Sequence, residues 1–548
     1  MKYLFLFVAV ILALASAATY LSYPDARAEL PVLYWVTDAN PARVEQIAIF
    51  HRWQIDQGHG KTYTLQTQDD LDAFRARHWT PPIARAIRDA NPDGAKALDP
   101  DTTAAALPLT VRVPACEMRV DAANSDNTKK IIQCVTGIGG DVMDLWSGAG
   151  VRQFEGMGVL EPLNERAAAG GFGVSHTFPA IAPDLTVTDA AGHTEQYAFP
   201  CNVNASLLWV NKATFERFGQ PLPPPRWTLE EFETLGRAYV AAANPPGQRR
   251  SFFYASGIDP TSLHRSMGVS LFNETLTKCT FDDPRHHEAI RKVHQWTYVD
   301  HILPTDADRA SFSTDAGYGG ADTQLFHRGN YAMMQSGRYM LIQFRKFGAM
   351  RLGVAEQPHA GMSNTGIATR CAAVYVGGRH KDLAALFLSY LASPDYNLQV
   401  VRDADALPPD PQYTHPEAYL RPPDFPNEWE VHGPFADAAE EISVPGEYSP
   451  FVAPSIVNRH TQQARDAVMN NRKTVEVACA DAQVAIMREM EYALRESPDL
   501  RARHDRALAD QQRIDDLLAR GEKVPRSLVA NPFHLYLYRQ TGRLDEDR

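Results

Sequence analysis

The sequence predicts an α/β protein of two or three domains. At 548 residues the chain exceeds what one hydrophobic core ordinarily supports. Apolar side chains make up 44% and charged ones 22%, the balance of a globular chain. Short, mostly apolar strand-like runs alternate with helical patterns, the order that gives parallel strand pairing. A net charge of −12, with no basic cluster, argues against a nucleic-acid partner.

In chain order, Met1-Lys2 and the apolar run Tyr3 to Ala15 read as a signal peptide within residues 1–28. Two small-residue cleavage patterns come next, Ala15-Ser16-Ala17 and Ala26-Arg27-Ala28. Tyr3 to Leu21 is also just long enough for an uncleaved anchor. A periplasmic or otherwise extracytoplasmic location is expected. Val32 to Val36 forms a strand. Asn40-Pro41 then opens a helix whose apolar stripe is Val44, Ile47, Phe50 and Trp53. The next strand of this unit is expected at Leu109 to Val113, with residues 54–108 as an insertion. Asn124 to Asn127 starts a helix, and Asp141 to Leu145 is a further strand, Asp141 capping a turn or fixing a loop. Six cysteines are expected to be mostly buried thiols with room for one disulfide.

The stretch Glu195 to Glu231 is the most informative. Strands at Tyr197 to Val203 and Ala205 to Val210 lead to a short helix that stops at Gly219. After a proline run, Thr228 and Glu231 have capping-box spacing. Tyr197, Pro200, Val203, Asn211, Lys212 and Phe215, followed by Pro225, Trp227, Thr228 and Phe232, resemble the domain crossover of extracellular solute-binding proteins of ABC importers, the carbohydrate-binding family. Gly158, Leu160, Pro162 and Leu163 resemble a second passage of that family. Phe326, Gly329, Ala332, Met333, Gly337 and Tyr339 resemble a third. The helices opened by Ser393-Pro394 and Thr474 are similar to two more, the latter carrying Ala478, Ala482, Ala485, Ile486 and Met490 on one side. The resemblance covers about Pro31 to Tyr492, apart from the insertion; Ala502 to Arg548 goes beyond it.

The resemblance implies a two-lobe type II periplasmic-binding-protein fold with a hinge and an interlobe cleft. One lobe would comprise residues 29–199 and 359–431, the other 200–358 and 432–548. It implies a monomer that captures a sugar or oligosaccharide by closure and passes it to ABC permease subunits, without catalysis, cofactor or metal.

Sugars are held by flat apolar faces and planar hydrogen-bonding groups at strand ends. Candidate contacts are therefore Thr37 and Asp38, Trp146 and Ser147, Asn202 and Asn204, and Arg338 and Tyr339. In the family, the positions of Asn204 and Tyr339 commonly touch ligand. Trp35, inside a strand, reads as core. Arg338 with Arg370 would suit an anionic solute such as a uronate or glycerol phosphate. A secreted carbohydrate-active enzyme is the alternative from another class, since two suitably spaced carboxylates would suffice. His286 and His287 lack zinc-binding spacing and are expected to be solvated.

Overall fold

The computed structural model describes residues 30–78, 81–91, 98, 107–189, 192–255, 260–312 and 320–547. The expected signal peptide lies outside them. By internal contacts the chain divides into two compact units, Met1–Met143 with Gly377–Tyr390, and Asp144–Val376 with Leu391–Arg548.

In the first unit β1 (Val32–Val36) is followed by the helix Ala42–Asp56. Asn40 accepts from the Ala42 amide at 3.0 Å and caps the turn. Ile47, Phe50 and Trp53 face the core as expected, where Phe50 meets Phe387 edge-on and Trp35 packs on the same ring. Val44 does not belong to the stripe: it is 74% exposed, because the buried arc at that end is held by Arg43, Gln46 and Ile47 instead.

The expected pairing of Leu109 to Val113 with the first strand is corrected. β2 (Lys61–Leu65) and β3 (Leu109–Val113) form an antiparallel pair over their own small core of Leu71, Phe74, Ile83 and Ile87. The strand beside β1 is β4 (Glu117–Val120), which runs parallel to it. Pro114 interrupts the run between them, since it lacks the N–H a central strand needs. On its other side β1 pairs with the start of β5 (Val142–Trp146) through Val142 and Met143. Asp141 accepts from the Tyr34 amide at 3.0 Å, the loop-fixing role expected of it.

In the second unit, β6 (Thr186–Thr188) and β7 (Thr194–Gln196) form a small hairpin. Next come β8 (Ala198–Ala205), β9 (Leu207–Asn211), β10 (Phe252–Tyr254), β11 (Tyr331–Ser336), β12 (Leu352–Ala355) and β13 (Thr365–Val374). β8 runs antiparallel to β13, and β14 (Ser443–Val444) lies parallel to β13's start. A separate sheet has the order β10-β11-β9-β12. Its apolar face is covered by the helix Leu229–Ala243, through Phe232 and Tyr239 against Phe253, with Trp227 and Trp296 alongside. That helix opens with the Thr228/Glu231 capping box read from the sequence, and Gly219 ends the preceding helical segment at φ 62°.

The helix Val475–Glu496 buries Ala478, Ala482, Ile486 and Met490. Beyond it the chain continues as the helices Pro498–Ala519 and Pro532–Gln540 with a two-stranded pair, β15 (Val524–Pro525) and β16 (Leu544–Asp545). Ile514, Val524, Tyr538 and Leu544 form their core. Asn531 donates to the Ser270 hydroxyl and the Phe272 carbonyl, tying this extension to the segment Ser270–Thr280.

His286 and His287 are buried, which corrects the expectation of solvated rings. They share the inward face of the helix Pro284–Tyr298 with Ala289 and Ile290. His286 Nδ1 lies 2.9 Å from Nδ1 of His264 and its Nε2 3.0 Å from the Ser270 carbonyl. Burial pushes the His286 ring down to about 4, so the pair is neutral at ordinary pH. All six cysteines are buried free thiols.

Candidate functional site

Two groups of the candidate residues lie in the second unit. The first is built on β8, where Asn202 and Asn204 share one face because side chains alternate along a strand. Asn204 reaches the turn after β11. A Cβ at Gly337 would sit 1.6 Å from Asn204 Oδ1 and 2.9 Å from the Tyr339 ring, so only glycine admits this approach. The Gly337 carbonyl is fixed by Trp209 Nε1 at 3.0 Å. Asn204 Nδ2 donates to the Ser206 hydroxyl at 3.2 Å, while its Oδ1 is buried without a hydrogen-bond partner. Ser336 donates to the Tyr339 hydroxyl at 2.9 Å, orienting a half-buried ring. An unpaired amide oxygen and a held aromatic face thus meet at one glycine.

The second group comes directly after β5. Trp146, the last residue of that strand, is 54% exposed. Ser147 has φ 57°, a conformation costly for a residue with a Cβ, and begins the helix Ser147–Gly156. A Cβ at Gly148 would fall 2.5 Å from Arg152 Nη1, 2.5 Å from Asp184 Oδ1 and 2.8 Å from the Tyr448 ring. Arg152 stacks on Tyr448 at 4.7 Å and donates to the Gly148 carbonyl at 3.1 Å. Burial pushes the Tyr448 hydroxyl up to about 12, with the Asp184 charge adding to it.

Other candidates are placed differently. Asn202 is buried, opposite Arg370 in the β8–β13 ladder, and its carbonyl accepts from the Thr369 hydroxyl at 2.7 Å. Thr37 and Asp38 belong to the first unit. Thr37 is fully buried, and Asp38 accepts from Arg43 Nε at 2.8 Å.

The Arg338–Arg370 anion clamp is corrected. Arg338 is buried and donates to His432 Nδ1 at 3.0 Å, the Ala406 carbonyl at 2.8 Å and the Val401 carbonyl at 2.9 Å. Arg370 is equally buried and paired with Asp144 and, at 3.5 Å, with Asp405. Removing a partner from so buried a charge is costly, so both guanidiniums are struts. They hold the turn Ala404-Asp405-Ala406, whose two alanines have φ 58° and 65°. A cavity of about 170 Å³ lined by Phe344, Arg345, Phe425 and Glu428, among others, contains none of the candidate residues. Its ion pair, Arg345 to Glu428 at 2.9 Å, is engaged internally, Arg345 Nη1 also donating to the Arg402 carbonyl at 3.0 Å.

Sequence reasoning missed Gly148, Arg152, Asp184 and Tyr448. Asp184 left one faint signal, a lone carboxylate in the apolar run Ile181 to Leu185. Gly148 and Arg152 meet one helical turn apart, and Tyr448 joins them only by tertiary contact.

The fold is mixed α/β and matches that of MalE-like two-lobe periplasmic binding proteins. The model of the family "bacterial extracellular solute-binding protein" matches residues 117–398, just over half of the sequence, and the chain belongs to that family. Among solved structures, similarity extends to an ABC substrate-binding protein from Listeria monocytogenes in complex with cycloalternan. That pair shares 16% identity over 84% of this chain and 100% of the other, at a TM-score of 0.61. The GacH receptor of Streptomyces glaucescens, solved unliganded and with acarbose, shares 18% identity over 84% and 99% of the two chains, TM-score 0.57. The maltotriose-bound maltose/maltodextrin-binding domain MalE from Bdellovibrio bacteriovorus shares 15% over 84% and 100%, TM-score 0.57. No curated protein matches the sequence.

Proposed function

We propose that the protein is the extracytoplasmic solute-binding component of an ABC importer and that its solute is a neutral sugar or oligosaccharide. It would hold the sugar between two lobes, residues 29–199 with 359–431 and 200–358 with 432–548, and deliver it to membrane permease subunits. The observation that carries the site assignment is the meeting of Asn204 and Tyr339 at Gly337, where a buried amide oxygen still lacks a partner. A sugar hydroxyl is the donor that oxygen wants, and the Tyr339 ring offers a face for pyranose C–H groups. The Trp146 ring supplies a second face from a turn held in an unusual conformation. Neutrality of the ligand is supported by Arg338 and Arg370 being spent on internal partners.

Family membership and the saccharide ligands of the similar structures support the class of solute. No helix among the described residues is long and apolar enough to cross a membrane. The family is one of binding proteins rather than enzymes, so capture and release need no covalent step. Thermal-shift screening against a panel of maltodextrins and cyclic glucans tests this reading. A ligand at about 100 times its Kd adds about 2.7 kcal/mol of stability. A panel without any shift, alongside turnover of a glycan by the purified protein, would replace this reading with that of an enzyme.

A further inference from the structure

Asp184 lies in the short helix Ala182–Leu185, which packs against the helix Ser147–Gly156, β6, β8 and β13. It is fully buried, and neither carboxylate oxygen makes a hydrogen bond of ordinary geometry. That is an expensive state for a charge. The cation beside it is Arg152, and Arg152 is occupied elsewhere. Its Nη1 donates to the Gly148 carbonyl at 3.1 Å and its Nη2 to the Pro183 carbonyl at 2.9 Å. One guanidinium therefore ties the Trp146-Ser147-Gly148 turn to the residue preceding Asp184. Gly148 is the wedge between them, with Arg152, Asp184 and Tyr448 all pressed against the place where a side chain would begin.

We propose that Asp184 is a positioning residue for the Trp146–Gly148 turn, and that its proton decides whether Arg152 stays on the Gly148 and Pro183 carbonyls. Protonated, the carboxyl makes no demand on Arg152, and the turn keeps the pose described above. Ionised, it is a buried charge that must draw Arg152 off the two carbonyls or admit water past Gly148, and either movement frees the Trp146 ring.

Burial drives Asp184 up to about 7, against the opposing pull of the Arg152 charge and the Gly148 amide, which puts the change near neutrality. The other ionisable groups on the elements packed around it are Arg152 and Glu155, Arg370 and Cys371 on β13, Cys201 on β8, and His176, with Tyr448 from the loop after β14. The Cys371 thiol is pushed far up by burial and by the Asp184 and Asp144 charges, so it stays protonated there, as does Tyr448. Burial also raises Glu155.

The coupling stands apart from the ligand; only its consequence for affinity rests on the sugar-binding reading. The test uses the full chain labelled with fluorotryptophan, the Trp146 resonance being assigned by its loss in Trp146→Phe. Fluorine NMR of the free protein should show the Trp146 signal moving with pH about a midpoint near neutrality. In Asp184→Asn that movement should vanish. In Arg152→Gln, where the charge holding the carboxyl down is gone, the midpoint should move to higher pH. A Trp146 signal unmoved by pH in the wild type overturns the proposal even if neither variant folds. So does an unchanged titration in Asp184→Asn, which would hand the effect to another group. Calorimetry with maltotriose as probe forms the second arm. Its affinity should weaken several-fold as pH rises through the same midpoint in wild type, and hold constant in Asp184→Asn. Absence of maltotriose binding at every pH counts against the sugar reading alone and leaves the fluorine result standing.

Discussion

Trp35 and Trp146 occupy similar places in the chain, each at the C-terminal part of an apolar strand within a β-α-β pattern, and they have opposite fates. Trp35 is fully buried, packed on Phe387 with the Arg43 guanidinium 5.7 Å from its ring. Trp146 leaves more than half its surface open. The difference lies in how the chain leaves each strand. After Trp35 the chain runs on through residues 36–41, with Val36 and Thr37 buried, before its helix begins at Ala42. After Trp146 the helix starts at once, through a left-handed Ser147 and a Gly148 wedged beneath three side chains. A tight turn leaves an indole nowhere to fold back, so its apolar face stays exposed.

Trp35→Ala should therefore have the largest effect. Truncating a buried tryptophan costs about 3–5 kcal/mol, and a denaturant titration should show that loss. Sugar affinity per folded molecule should be unchanged; a binding defect would end the contrast between the two tryptophans.

Asp184, beneath the Trp146 turn, should impose a pH slope. Its folded value, about 7, lies above the ordinary 3.8, so the folded protein keeps a proton that the unfolded chain has released. The resulting stability is complete below about pH 4, is lost as pH rises to about 7, and changes no further above that. Asp184→Asn removes the slope and should leave the variant more stable than wild type at alkaline pH, on the order of 2–4 kcal/mol. Parallel slopes for the two proteins in urea melts would assign the ionisation to another group.

Trp146→Ala should reverse the Trp35 result, with a melting temperature near wild type and an affinity loss of about 2 kcal/mol for a stacked sugar. A sharp drop in melting temperature with normal affinity would make Trp146 structural. Asn204→Ala should weaken binding by about 1–3 kcal/mol, because a ligand hydroxyl is left unpaired in a closed site. Tyr339→Phe keeps the ring and loses the Ser336 bond, so calorimetry should register about 1 kcal/mol or less. A larger loss would mean that the hydroxyl itself contacts the sugar.

Local elements were well legible in the sequence. β1, the helix after Pro41, the capping box at Thr228 and the helix opened at Thr474 form where short-range rules put them. The misreadings share one cause. Leu109 to Val113 has the right alternation for a strand, but alternation does not name a partner, and β2 lies within the polar insertion of residues 54–108. Polarity points His286 and His287 outward, whereas the helix they sit on turns both inward. Arg338 and Arg370 looked free because nothing local consumes them; their partners come from residues 401–406 and 432, and from Asp144.

The sequence by itself determined the fold class, the family and the two segments that carry Asn204 and Tyr339, since those depend on period, caps and glycines read within a few residues of each other. The tertiary structure decided which polar groups remain unspent. Desolvation and hydrogen-bond pairing depend on whatever the folded chain brings within a few ångströms, and that information is spread over the whole chain. So Asn204 keeps an unpaired oxygen, Arg338 keeps none of its guanidinium for a ligand, and Asp184 is left as a buried carboxyl beneath Trp146.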